Sequence, residues 1–244
     1  MRPTLNCTRE GGIATLMLDR PEVRNALSQE LRGSLRLRIA ELDADESIRA
    51  IILTGADPAF CAGVDLRELG GQPSQDPDIG PLTAPFVSCK TPLIGAINGA
   101  AYTGGLELAL ACHFLIASER ATFADTHSRL GLMSGWGLTV LLSDAIGSRR
   151  ARQMSVSCEP IDATTALQWG LVNRVVAHSD LQSACLQIAQ LICGNNATTV
   201  RRVSKLYDDQ AAVRNAAPWR LEASAWAGTR STAVDTWESD QPKP

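Results

Sequence analysis

Four short apolar runs, at 12–18, 49–54, 93–97 and 114–117, punctuate the first half of this chain, with segments of helical periodicity between them. Runs of this length fit buried strands, and strands that alternate with helices pair in parallel through crossovers. The order restricts the chain to the α/β class. Ser28, followed by Glu30 and Leu31, reads as the N-cap of a helix that extends to about residue 42. From residue 181 onward the pattern is mostly helical, which divides the chain into a core over 1–180 and a C-terminal helical region over 181–244. Between the second and third runs, 70–85 holds four prolines among Gly, Asp, Ser and Gln and reads as a long surface loop or lid. The tail at 236–244 is expected to fray.

Composition excludes several classes of partner. The formal net charge is −3, and no Lys/Arg run is interleaved with aromatics, so neither nucleic acid nor an anionic membrane surface is an expected partner. The pairs Arg149-Arg150 and Arg201-Arg202 read as solvated helix ends. No stretch approaches the roughly 20 apolar residues of a membrane span, and the N-terminus lacks an apolar signal core, so a cytoplasmic location is expected. Seven cysteines, an odd number without C-x-x-C spacing or clustered histidines, indicate neither a disulfide framework nor a zinc site. No metal is expected.

Two glycine-containing turns follow the strand runs. In Ala59-Phe-Cys-Ala-Gly-Val-Asp-Leu-Arg67, small residues at 61–63 allow a ligand close to the backbone, and the N–H of Val64 is expected to face outward as a helix begins at Asp65. In Thr103-Gly-Gly-Leu-Glu107 a Gly pair opens a helix, and the three-residue spacing sets the Glu107 carboxylate beside the N–H of Gly104. Each has a plainer reading, as a strand-to-helix turn and as a first-turn Glu complementing the helix dipole. Of the three histidines, His127 lies twenty positions beyond Glu107; it reads as a proton-transfer group or as a loop histidine bonded to Asp125. His113 reads as core or interface, and His178 as a surface residue near an N-cap.

Taken together, the segments Arg20-Pro-Glu-Val-Arg-Asn-Ala-Leu27, Phe60-Cys-Ala-Gly-Val-Asp-Leu66, Thr91-Pro92, Ile97-Asn-Gly-Ala, Gly104-Gly-Leu-Glu107, Leu130-Gly-Leu to Gly135-Trp-Gly137 and Ala166-Leu-Gln-Trp-Gly-Leu-Val172 resemble the crotonase, or enoyl-CoA hydratase/isomerase, superfamily. The resemblance covers residues 10 to 205. It implies a ClpP-like spiral of ββα units with a C-terminal helical trimerisation region, assembling as a homotrimer or dimer of trimers. It also implies an acyl-CoA substrate whose thioester oxygen is held by the N–H groups of Val64 and Gly104, with no cofactor beyond the coenzyme A of the substrate itself. Arg24, Ala26, Ala62, Asp65 and Leu66 map to CoA-contacting positions, partly through backbone atoms, with Arg67 as phosphate partner. Gly135 maps to a backbone position near the acyl group, and Trp136 either lines the acyl pocket or plugs the core.

The hydratase branch of the family uses two glutamates. Glu107 matches the first, and the second falls on His127. The resemblance therefore implies a hydratase that adds water to a trans-2-enoyl-CoA, with Glu107 activating the water and His127 as proton partner or orienter. Its rivals are a Δ3-Δ2 enoyl-CoA isomerase using His127 as base, a thioesterase on the same oxyanion hole, and a catalytically degenerate acyl-CoA-binding protein. The basic-aromatic C-terminal segment of many relatives has no match here.

Overall fold

The computed structural model describes residues 3–68 and 82–229, so most of the proline-rich segment expected to form a loop or lid, and the tail expected to fray, lie outside the described residues. The chain opens with a hairpin, β1 (Leu5–Glu10) and β2 (Ile13–Leu18), joined by Gly11 and Gly12, both at positive φ. Glycines are favoured at both positions of such a two-residue turn, because its twist matches that of the strands. Helix α1 (Gln29–Ala44) starts where Ser28 accepts a hydrogen bond from the N–H of Leu31 and buries Leu31, Leu35, Ile39 and Leu42 on one face. The strands β3 (Ala50–Gly55), β5 (Leu93–Ile97) and β7 (Phe114–Ser118) coincide, within a residue or two, with three of the apolar runs.

A second, smaller sheet is built from pieces too short to show periodicity: β4 (Ala59–Cys61), β6 (Ala100–Tyr102), β8 (Thr122–Ala124) and β9 (Ile161–Asp162). With β10 (Arg174–Val176), the larger sheet has the order β1-β2-β3-β5-β7-β10, and the smaller the order β4-β6-β8-β9. The pairs β3–β4, β5–β6 and β7–β8 thus each place their first strand in the larger sheet and their second in the smaller. This is the repeating step of the expected spiral.

The remaining helices are α2 (Ala84–Val87), α3 (Gly104–Leu110), α4 (Leu138–Ile146), α5 (Ser148–Ser157), α6 (Ala163–Trp169), α7 (Leu181–Gly194) and α8 (Ala197–Thr229). The larger sheet is covered on both faces, which explains its uninterrupted apolar strands. Alternate residues divide between the two sides. Ile13, Ala50, Ile52, Ile94, Ala96 and Ile116 meet Leu181, Ala184, Cys185 and Ala189 of α7, whereas Leu16, Ile51, Leu53 and Leu115 join the main core with Phe60, Phe86 and Phe123. All seven cysteines are free thiols.

Two local expectations are corrected. Asp65 is followed by a 3-10 turn over Leu66–Glu68 rather than an α-helix. Arg201 is not a solvated helix end, since it donates to the carbonyls of Asp43 and Ile48. His178 lies near the Asp180 N-cap of α7 as expected, and its ring bridges the Ser118 hydroxyl at 3.0 Å and the Asp57 carboxylate at 3.1 Å. Among the described residues no helix is long and apolar enough to cross a membrane.

Candidate active site

Strands β4, β6 and β8 run parallel, so the chain leaves all three on the same edge of the small sheet. Carboxyl ends of parallel strands are where α/β folds gather binding residues. Here the three exits carry Gly63-Val64, Thr103-Gly104 and Asp125 to His127.

The first exit is clamped by the Arg20–Leu27 motif. Arg24 and Asn25 both adopt positive φ (52° and 57°), and the buried Asn25 amide donates to the carbonyls of Ala56 and Ala59 while its oxygen accepts from the N–H of Arg20. This bend brings Arg24 to Leu27 alongside 62–65: Ala62 N–H donates to Arg24, Leu27 N–H to Gly63, and Asp65 N–H to Leu27, at 2.8 to 3.2 Å. Because Leu27 bonds to residues 63 and 65, the N–H of Val64 between them points to the opposite side. Asp65 is buried, and the Arg67 guanidinium beside it, helped by Arg20, holds its carboxyl down to about 2. Arg67 spends two of its donors on Asp65, at 2.9 Å each, while its side chain stays exposed. Arg24 is exposed, and Ala26 is nearly buried.

The second exit passes through Thr103, at φ 53° and ψ −114°. Positive φ is an outlier for a β-branched residue, and such strain persists only where the surroundings impose it. Thr103 is held by its N–H to the Ala124 carbonyl at 2.9 Å and by a short hydroxyl contact with Thr126. The turn starts α3 at Gly104, whose N–H, as the first of a helix, has no intrahelical acceptor. A Cβ on Gly104 would lie 3.4 Å from the Val64 nitrogen, and one on Gly63 3.3 Å from the Gly104 nitrogen. The two backbone donors thus belong to one small volume. Trp136 roofs it, with its ring edge 3.1 Å from the same Gly104 Cβ position.

The third exit supplies the imidazole, and α3, which continues from the second, supplies the carboxylate that faces it. Glu107 is buried; its Oε1 accepts from the N–H of Trp136 at 2.9 Å rather than from that of Gly104, and its Oε2 lies 3.8 Å from His127 Nε2. Burial pushes the Glu107 carboxyl up to about 7, against the opposing pull of His127 and the Trp136 N–H. Burial alone would lower the pKa of His127, but the hydrogen bond that its ring donates to Asp125 and the charge of Glu107 more than offset it, and the net shift is upward. Asp125 Oδ1 lies 2.7 Å from His127 Nδ1 and accepts the His127 backbone N–H at 3.1 Å. His127 is thus bonded to Asp125 and at the same time faces Glu107. A carboxylate on Nδ1 leaves Nε2 of the neutral ring as the acceptor turned toward Glu107.

The family model for enoyl-CoA hydratase/isomerase matches residues 8–235. The chain belongs to this family. A relative from Arabidopsis thaliana named as probable peroxisomal enoyl-CoA hydratase 1 is 38% identical over 202 residues, 82% of this chain and 76% of that protein. The crystal structure of enoyl-CoA hydratase from Mycobacterium tuberculosis H37Rv superposes with a TM-score of 0.88 at 46% identity, covering 94% of this chain and all of the other. A monofunctional enoyl-CoA isomerase from M. smegmatis superposes at 0.74 with 31% identity, covering 85% and 93%. The fold is that of the crotonase family, with a helical C-terminal region.

Sequence reasoning missed one contributor, Glu222, and reached another, Asp125, only as the partner of a loop histidine. Asp125 lies only two residues from His127, and an acidic residue at that spacing from a histidine is a readable signal. Glu222, which accepts from the N–H groups of Gly137 and Thr139, comes from α8 and has no local signal at all. Gly135 and Gly137 pack against the rings of Trp226 and Trp219 of that same helix. Among the described residues no group of three or more His, Cys, Asp or Glu is placed to hold a metal ion.

Proposed function

We propose that this chain is an enoyl-CoA hydratase-like enzyme that adds water across the double bond of a trans-2-enoyl-CoA. The observation that carries the reading is the convergence of two backbone donors, Val64 and Gly104, beside a buried Glu107–His127 pair 3.8 Å apart. The two N–H groups would donate to the thioester oxygen as negative charge develops on it, and one such donor contributes about 3 to 4 kcal/mol to transition-state stabilisation. Ionised Glu107 takes a proton from water while the hydroxyl oxygen bonds to Cβ. The π electrons move through Cα to the thioester oxygen, and the imidazolium of His127 returns a proton to Cα. The proton gained by Glu107 and that lost by His127 are then re-exchanged between them, restoring both. Arg24, Ala26, Ala62, Asp65 and Leu66 are the proposed contacts for CoA, with Gly135 and Trp136 bordering the acyl group and a homotrimer or dimer of trimers as the assembly. No cofactor is called for, since the thioester itself activates the α-position.

A specific observation favours isomerisation as the second reading. The Asp125–His127 hydrogen bond makes His127 a competent single base for moving a proton between Cα and Cγ. Loss of the conjugated enoyl-thioester absorbance on adding a 2-enoyl-CoA tests the first reading, and its gain from a 3-enoyl-CoA tests the second. If the wild-type protein and Glu107→Gln consumed 2-enoyl-CoA equally over several chain lengths, the hydratase mechanism would be abandoned.

A further inference from the structure

The C-terminal helix reaches back to the site through a carboxylate as well as through the rings of Trp219 and Trp226. Glu222 on α8 is buried; its Oε1 accepts the N–H of Gly137 at 2.6 Å, and its Oε2 accepts the N–H of Thr139 at 2.8 Å together with the Thr139 hydroxyl. The preceding N–H, that of Trp136, goes to Glu107. Two consecutive N–H groups at the start of α4 are thus divided between two carboxylates from α3 and α8. A capping residue is ordinarily adjacent in sequence to its helix; this one is 85 residues from Gly137.

We propose that Glu222 is a positioning residue for the Glu107–His127 pair, fixing the 136–137 peptide next to the 135–136 peptide whose N–H orients Glu107, and adding a buried negative charge beside the pair. The proposal rests on the reading of Glu107 and His127 as the proton-transferring groups. The charged groups acting on the pair are Asp125, bonded to His127, and Glu222, which holds the N–H next to the one bound by Glu107. Glu222 favours the protonated forms of Glu107 and of His127 alike. Glutamate is suited to the position because three donors meet its two oxygens; glutamine would turn an amide N–H₂ toward donors on one side.

The charge and the position are tested on the full-length protein by two different readouts. Glu222→Gln removes the charge, and the pH titration of the His127 ring is followed by NMR in the absence of ligand, its signal assigned by its loss in His127→Ala. The His127 midpoint is expected to fall by about half a pH unit or more, while Arg214→Ala, which frees α8 from its exposed contact with Asp144, leaves the midpoint in place. An unshifted midpoint in Glu222→Gln, or an equal shift in Arg214→Ala, overturns the charge role. Glu222→Asp keeps the charge but is one methylene too short to reach both N–H groups, so kcat on a 2-enoyl-CoA should fall ~10- to 100-fold with KM unchanged. Unaltered kcat overturns the positioning role. Because the titration needs no turnover, a wild-type protein inert toward 2-enoyl-CoA would refute the hydratase reading without deciding the fate of Glu222.

Discussion

Replacing Glu107 with Gln is expected to make the protein more stable at pH 8 while removing its activity. In the folded chain burial raises the Glu107 carboxyl from its ordinary 4.5 to about 7, so the native state keeps a proton that the unfolded chain has already released. Stability therefore falls as pH rises from about 4.5 to about 7, and the full deficit persists above that. At about 1.4 kcal/mol per unit of pKa, the deficit is ~1 kcal/mol at pH 5 and ~3 kcal/mol at pH 8. The attraction to His127 is already included, since that residue is among the groups acting on Glu107. Gln occupies nearly the same volume and keeps an oxygen for the Trp136 N–H, so the substitution removes the charge without opening a cavity. Urea unfolding of both proteins at pH 5 and pH 8 measures the difference, and the loss of a general base should lower kcat by about 10²- to 10⁴-fold. A stability difference that did not grow with pH, or a Gln variant less stable at pH 8, would refute the account of Glu107 as a carboxylate held against its own desolvation.

Asp125→Asn removes the charge from His127 Nδ1 and can reverse the ring tautomer. Its kcat should drop by at least about 10²-fold, with the His127-dependent limb of the pH–rate profile moved to lower pH. Gly105→Ala would place a Cβ 2.1 Å from the Cys61 carbonyl oxygen, forcing α3 off β4; chemical denaturation should show a loss of about 1 to 3 kcal/mol. Asp65, depressed to about 2 when folded, contributes stability that is present above its unfolded pKa and is lost as pH falls through about 2. Asp65→Asn should accordingly lower the unfolding midpoint at neutral pH and show a flatter loss of stability on acidification, as followed by circular dichroism.

The apolar runs that became β3, β5 and β7 were legible because a strand covered on both faces has to be apolar throughout. The smaller sheet was not, since three-residue strands such as β4, β6 and β8 carry too few positions for a period to register. Yet the residues that leave those strands were found, because turns that bring backbone donors together need small residues, and Gly63, Gly104 and Gly105 announce themselves in the sequence. The direction of the Glu107 carboxylate was not legible: its partner, the N–H of Trp136, is placed by the start of α4, and α4 is held in turn by Glu222. Nor was the engagement of Arg67, because local spacing does not reveal that Asp65 is buried and already paired with Arg20.

On the proposed mechanism the thioester donors leave β4 and β6 while the imidazole leaves β8, so recognition of the substrate and delivery of its proton would occupy separate segments of chain. An exchange of one side chain at position 127 can alter the acid–base repertoire without disturbing the backbone that grips the thioester. The parallel edge thus works as a socket with an interchangeable tool. A lineage built on it can trade one proton-transfer reaction for another by point substitution, at little risk to its hold on CoA esters.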